Sequence, residues 1–428
     1  MSGVHEEIAL GGFAALSAQE QEVFRPYLDE LGKSSCYPDV FADKSMTAAM
    51  KERIDPEADL LIYPEPPKAG WYGRILELTQ KQERFGVVAL RDIYLTEHYL
   101  RKAVECLKAA DARLATKYCG VYSHVLGDMG EPIHAISPEI IDLVLPPPAD
   151  CMAMELHANV EGLGAPVDTT GYTPSLLGAN IPQAMMGGYL GLTAVREVGA
   201  AQTVPIVQAL YARDRERAVS LSSKAQSECA RRFADFLHTA LYLAQHGETA
   251  SSFSLDLCRY PYVDCFVDML YRYRPMEDLS LVPYSGGKSF PLALSDGRGA
   301  AQKVHGLGIV PYLGPPYTAD HFRETFIEYF LVPGAFKVFR SRVGLNPHFA
   351  ESVGAAVFTV ALDGREVFRS AEIRPKGKAV KVEVPLGDAR WLRIAMHYGV
   401  NPTREEMSRT SHIGWALHGV WAEPTLAC

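Results

Sequence analysis

The stretch YSHVLGDMGEPIHA, Tyr122 to Ala135, places His124, Asp128, Glu131 and His134 in one short span. Imidazole and carboxylate together suit Zn²⁺ or a similar divalent ion. Residues four apart on a helix share a face, so His124 and Asp128 would point the same way. His157 and Glu161, in ELHANVEG, repeat that spacing. His134 follows Pro132, and proline breaks or kinks a helix. His134 is therefore expected where the first helix ends, able to point into the same cavity. A lone His-x3-acid pair is weak, because a solvated helix face explains it equally well. Two such pairs plus His134 favour a metal site. Glu131 is expected to be an exposed acid at the helix end, outside the ligand set. His98 and His238 read as ordinary helix residues. Cys119 and Cys151 read as packing residues, since no neighbouring group signals a cysteine nucleophile.

These side chains need helices to carry them. From Arg91 to Asp128, Ile93, Tyr94, Tyr99, Leu100, Val104, Leu107 and Leu114 recur at three-to-four-residue steps, the pattern of amphipathic helices. SSKAQSECARRFADFLHTALYLAQHG predicts another, with Gly247 as its stop. Pro146 to Asp150 reads as a loop. The texture changes near residues 250 to 280. AAVFTVALDGREVFRSAEI alternates about an Asp363-Gly364 turn, a strong hairpin signal. KAVKVEVPLGDARWLRIAMHYG gives two further strands around a Gly-Asp turn. The expected fold is multidomain, an all-α domain followed by an all-β sandwich.

Composition narrows the function. Hydrophobic residues at 48% and charged residues at 22% are globular values, compatible with two domains in 428 residues. A formal net charge of -9 argues against a broad nucleic-acid-binding patch, which needs clustered Lys and Arg. No run approaches the roughly 18 apolar residues of a membrane span. The opening MSGVHEEIALGGFAAL is acidic, where a signal peptide has a positive leader. A cytoplasmic location is the default expectation, and a chain from which a leader had been removed would be secreted. The eight cysteines form no C-x-x-C pair and no disulfide framework. Two glycine stretches are decoys. SGGKS, Ser285 to Ser289, has Val282 where a phosphate loop has glycine, and GLGIVP, Gly306 to Pro311, lacks the third glycine of a dinucleotide fingerprint.

HVLGDMGEPIHA followed by LHANVEG resembles the zinc-dependent phospholipase C and single-strand-specific nuclease superfamily, over roughly residues 1 to 250. VHEEIALGGFAAL looks like that family's first helix, with His5. YPDVFADKSM looks like the segment carrying its early metal-binding aspartate, Asp43; Asp39 is the weaker candidate and could cap a helix instead. The resemblance implies an all-α zinc-phospholipase/nuclease-like fold with one to three zinc ions. His134, His157 and Glu161 would hold one ion. Asp43, His124 and Asp128 would hold a second. His5 and Asp128 would contribute to a third, with Asp128 bridging. It also implies phosphate-ester hydrolysis, with Asp43 orienting the attacking water and a phospholipid or nucleotide-type substrate. Two departures stand out. The family uses an N-terminal Trp for the third ion, and the first Trp here is Trp71. The family also places a His after the early Asp, where DPEADLLIYPEPP has none and carries Tyr63; His98 is the remaining substitute. A catalytically degenerate metal-binding or carbohydrate-binding scaffold is the alternative.

VHGLGIVPYLG, FIEYFLVPGAFKVFRSRVGLNP, AAVFTVALDGREVFRS and SHIGWALHGVWAEP resemble the NPCBM type of carbohydrate-binding module, over roughly residues 280 to 425. That resemblance implies a galactose-binding-like jelly roll. Aromatic faces stack on sugar C–H groups, and Tyr317, Trp415 and Trp421 could serve; a core role for any one Trp is the bland alternative. The expected domains are 1–250, a connecting segment 251–279, and 280–428.

Overall fold

The computed structural model describes residues 3–68, 71–80, 82–249, 253–266, 276–281, 289–298, 300–310, 324–349, 351–400, 403–409 and 417–428. They form two compact units, Met1–Ala250 and Ser251–Cys428.

Every regular element among the first unit's described residues is a helix. The unit's scaffold is two antiparallel helix pairs. Helices Ile93–Lys108 and Ala112–Gly130 form one pair; Ile181–Tyr211 and Arg215–His246 form the other. Asp111, Asn180 and Asp214 cap the second, third and fourth by accepting a backbone N–H in the first turn. Gly247, at φ +72, stops the last one as its sequence predicts. Tyr122 stacks on Phe236 at 4.0 Å between ring centroids, and its hydroxyl lies 2.9 Å from that of Thr96. Leu100, Phe233 and Leu237 are fully buried. Each such side chain contributes about 2 kcal/mol of apolar burial, so this centre is rigid and can hold polar groups at its margin. Helix Gly3–Ala14 packs on Arg215–His246 and on Ala112–Gly130. No described helix is long and apolar enough to cross a membrane.

Among its described residues the second unit holds two larger antiparallel sheets and two short two-stranded ones, Leu279–Leu281 with Ser289–Pro291 and Ala293–Ser295 with Ala301–Lys303. One of the larger sheets runs in the order Val380–Pro385, Val338–Leu345, Gly419–Ala427, Gly306–Ile309, Met276–Glu277, with Ser254–Asp256 also paired to Gly419–Ala427. The other runs Arg365–Arg369, Ala355–Leu362, Trp391–Val400, Thr325–Phe330, Asp264–Phe266. Trp421 of the first sheet packs on Phe358 of the second, 5.7 Å between ring centroids, so the sheets face each other across a shared core. Asp363 and Gly364, at φ +49 and +81, form the expected two-residue hairpin. The strands on either side of Gly387-Asp388 do not pair with each other. Val380–Pro385 joins the first sheet and Trp391–Val400 the second. Residues 251–279, expected as a connector, supply strands Ser254–Asp256 and Asp264–Phe266 to the two sheets. The glycine decoys resolve in the same way: Gly306–Ile309 is a buried strand, and most of SGGKS lies outside the described residues.

Candidate metal centre

Helix Ala112–Gly130 presents His124 and Asp128 on one face, as i,i+4 spacing requires. His124 Nε2 lies 3.4 Å from Asp128 Oδ2. Its Nδ1 sits 2.8 Å from the Ser35 carbonyl, which fixes the proton there and leaves Nε2 as the ligating atom. His5 stacks on His124 with centroids 3.9 Å apart, and its Nε2 is 3.8 Å from Asp128 Oδ1. That approach depends on Gly127, where any Cβ would come within 2.5 Å of His5 Nδ1.

After Gly130 the chain leaves the helix. Glu131 is extended, at φ -63 and ψ 121, and Pro132 opens the one-turn helix Pro132–Ala135. Three contacts hold that turn. Thr203 Oγ1 donates to the Pro132 carbonyl at 2.6 Å, and Val87 N donates to the His134 carbonyl at 3.0 Å. Gly199 lets its helix close on the Gly130 carbonyl, where a side chain would collide. His134 Nδ1 then lies 3.7 Å from Asp128 Oδ1. Its Nε2 is 2.8 Å from His157 Nε2 and 3.8 Å from Glu161 Oε1. His157 and Glu161 share a face of helix Leu156–Glu161, 3.2 Å apart.

Two ligand clusters result, His5–His124–Asp128 and His134–His157–Glu161. Asp128 faces both, with Oδ1 turned to His5 and His134 and Oδ2 to His124. In the metal-free protein the stacked rings of His5 and His124 are driven in opposite directions. Burial and the neighbouring His124 push His5 down to about 4. Burial pulls His124 the same way, but the hydrogen bonds of Asp128 and Asp39 outweigh it and raise it to about 10. Burial opposes ionisation of Asp128, yet His124 and the other histidines hold it at about 2.

Two sequence expectations need correction. The early aspartate at the centre is Asp39, with Oδ1 3.3 Å from His124 Nε2 and Oδ2 3.9 Å from His5 Nε2. Asp43 is at the C-terminal cap of helix Tyr37–Ala42, exposed, with Oδ1 accepting the Ser45 backbone N–H at 2.8 Å. The Asp-x-Ser order in ADKS is an Asx-turn signal that could have told the two apart. Glu131 is 4% exposed rather than surface-facing. Burial, followed by the charges of Glu161 and Asp128, pushes its carboxyl up to about 8. Its Oε1 has no hydrogen-bond partner.

His98 belongs to neither cluster; its ring stands edge-on to Tyr99. His238 pairs with Glu20. Tyr63 is at the centre, edge-on to His124 at 6.5 Å, with its buried hydroxyl lacking a hydrogen-bond partner. It lines a cleft of about 260 Å³ that opens on Asp128 and His134. Leu76, Leu95, Val125 and Met129 give the cleft an apolar wall. Arg91 also borders it but is engaged with Asp92 through two 2.7 Å hydrogen bonds, so it is not an open anchor for an anion.

The second unit gives a clearer comparison. Residues 324–426 match the NPCBM/NEW2 domain family. No curated protein matches the chain. Among solved structures the chain is similar to CBM51 from Clostridium perfringens GH95 in complex with methyl-galactose, at 19% identity over 41% of this chain and 100% of that one, TM-score 0.30. It is similar to the tandem CBM51 modules of the family 98 glycoside hydrolase Sp3GH98 from Streptococcus pneumoniae, at 15% identity and TM-score 0.31. That match covers 41% of this chain and 47% of the tandem-module chain. It is also similar to Clostridium perfringens alpha-toxin, at 13% identity over 91% of this chain and 83% of that one, TM-score 0.33.

Within the matched segment, Trp421 is 0% exposed, wedged between Phe339 and Phe358. It is a core residue and has no face to offer a sugar. Tyr317 and Trp415 lie outside the described residues.

Proposed function

We propose that the helical unit is a divalent-metal-dependent hydrolase of phosphate esters, with zinc the favoured ion, and that the NPCBM/NEW2 segment is an appended carbohydrate-binding module. The observation that supports the first half is the convergence of His5, Asp39, His124 and Asp128 beside His134, His157 and Glu161. Five separate segments of chain supply these groups. The donor set fits a divalent ion. His5 stacks on His124 and His134 on His157, and His124 sets Nδ1 on the Ser35 carbonyl, which turns Nε2 toward the carboxylates.

Bound divalent ions lower the pKa of a water and neutralise charge on the phosphoryl oxygens. The chain's own groups do the rest. Asp39 is the carboxylate placed to orient the attacking water, in the role expected of Asp43. Asp128, held ionised, spans both clusters and keeps their separation fixed. The apolar wall beside Tyr63 excludes water from one side and would receive the carbon-rich part of an ester. A phospholipid-type or nucleotide-type substrate is compatible with this wall.

Metal analysis and turnover of a chromogenic phosphodiester test the reading. The full chain is expected to bind zinc, and His134→Ala is expected to lower turnover at least 100-fold. Equal rates for the two would overturn the site. A binding protein with a degenerate centre is the second reading, favoured by Tyr63 standing in the region where the resemblance calls for a histidine. Zinc bound at full stoichiometry without turnover would select it.

A further inference from the structure

The β unit holds a separate set of metal-ligating side chains. Strand Gly419–Ala427 pairs with Val338–Leu345 along one edge. On its other edge two short strands lie end to end, Ser254–Asp256 opposite Ala427–Thr425 and Gly306–Ile309 opposite Ala422–Gly419. Glu423, at φ +52, and Pro424 span the junction. Glu423 N donates to the His305 carbonyl at 2.9 Å, and Leu257 N donates to the Pro424 carbonyl at 2.9 Å. The end of one short strand and the start of the other are therefore fixed in place.

The side chains at that junction converge. His305 Nε2 is 2.8 Å from Asp256 Oδ2, and Nδ1 is 2.8 Å from Asp278 Oδ1. Asp278 is itself held by the Gly306 N–H at 2.9 Å. Cys258 N donates to Asp256 Oδ1 at 2.9 Å, which folds the chain back at the strand end. One ligand atom each from Asp256, Cys258 and His305 all lie within 4.8 Å of one another.

We propose that Asp256, Cys258 and His305 form a zinc-type metal site in the β unit, with Asp278 holding the His305 ring from behind. Thiolate, imidazole and carboxylate together select a borderline-soft ion over Ca²⁺ or Mg²⁺, which take oxygen ligands. Ligands on a tetrahedral zinc are about 3.5 Å apart, so small side-chain rotations close the set. A metal-bound histidine hands its other N–H to a carboxylate, and Asp278 stands in that place. The Asp256 carboxylate takes hydrogen bonds from the His305 ring and from the Cys258 side chain, so the three groups already meet at one carboxylate. Three protein ligands leave a fourth position for water.

Cobalt(II) substitution of the full, metal-free chain tests this independently of the helical centre, whose described donors are nitrogen and oxygen. A thiolate-to-cobalt charge-transfer band in the near ultraviolet is expected, with a saturating amplitude of one thiolate-bound cobalt per chain. Cys258→Ser is expected to abolish it, with an unchanged far-ultraviolet circular dichroism spectrum. Asp278→Asn is expected to keep the band and weaken cobalt binding at least 10-fold. His134→Ala is expected to leave the band unaltered. Absence of the band in the wild-type chain, or its persistence in Cys258→Ser, overturns the site. Failure of the phosphodiesterase assay alone would leave the band in place.

Discussion

The carboxyl of Glu131 carries a stability cost with a definite pH window. In the unfolded chain it loses its proton near 4.5; in the fold it keeps it up to about 8. The folded form thus binds the extra proton between those values, so stability falls as pH rises through the window and levels off above it. Glu131→Gln removes this term. In the metal-free protein the variant is expected to match wild type near pH 4 and to be more stable at pH 8 by on the order of 4 kcal/mol. Urea melts at the two pH values measure it, and an equal shift at both would refute it. At this scale the sequence was informative about spacing and silent about surroundings. His124, Asp128, His157 and Glu161 were legible because i,i+4 spacing is a property of any helix. Asp43 was preferred to Asp39 at the centre, and Glu131 was expected at the surface, because those roles depend on what packs against them: the stacked pair His5–His124 for one, and the approach of helix Ile181–Tyr211 for the other.

The elements that carry the centre are tied together by a buried polar group. Lys117, two turns before His124 on the same helix, is 5% exposed and lies 2.6 Å from Asp55 Oδ2 and 2.8 Å from Glu57 Oε2. Tyr37 donates to the same Asp55 oxygen at 2.9 Å. Tyr37 opens the helix that bears Asp39, so this network anchors that helix to the one bearing His124. Lys117→Met leaves Asp55 and Glu57 without their buried cation and is expected to cost about 3–5 kcal/mol. It is also expected to weaken zinc binding, because Asp39 loses its anchor. Thermal melts and a zinc competition titration read the two effects; a stable variant with unaltered affinity would refute the anchoring. The long helices and the Asp363-Gly364 hairpin were legible from local patterns. The route of the Gly387-Asp388 turn from one sheet to the other was not. A turn dipeptide fixes a change of direction, but strand partners are chosen by distant residues such as Phe339 and Phe358.

Each unit has its own core, so two unfolding transitions are expected in calorimetry. Trp421→Ala is expected to cost about 3–5 kcal/mol in the β transition alone, and a shift of both transitions would refute independent units. The change of texture near residues 250 to 280 made the two-unit organisation readable. The participation of residues 254–266 in the sheets was not readable, because such three-residue strands carry no period. One arrangement has a consequence for synthesis. The strand at the heart of the larger sheet, Gly419–Ala427, holds Ser254–Asp256, Gly306–Ile309 and Val338–Leu345 together. Its three partners are made well before it. On the ribosome the helical unit can fold as soon as it emerges, while more than a hundred residues of β chain wait for their central strand. The emerging sheet therefore spends most of its translation as unpaired edges.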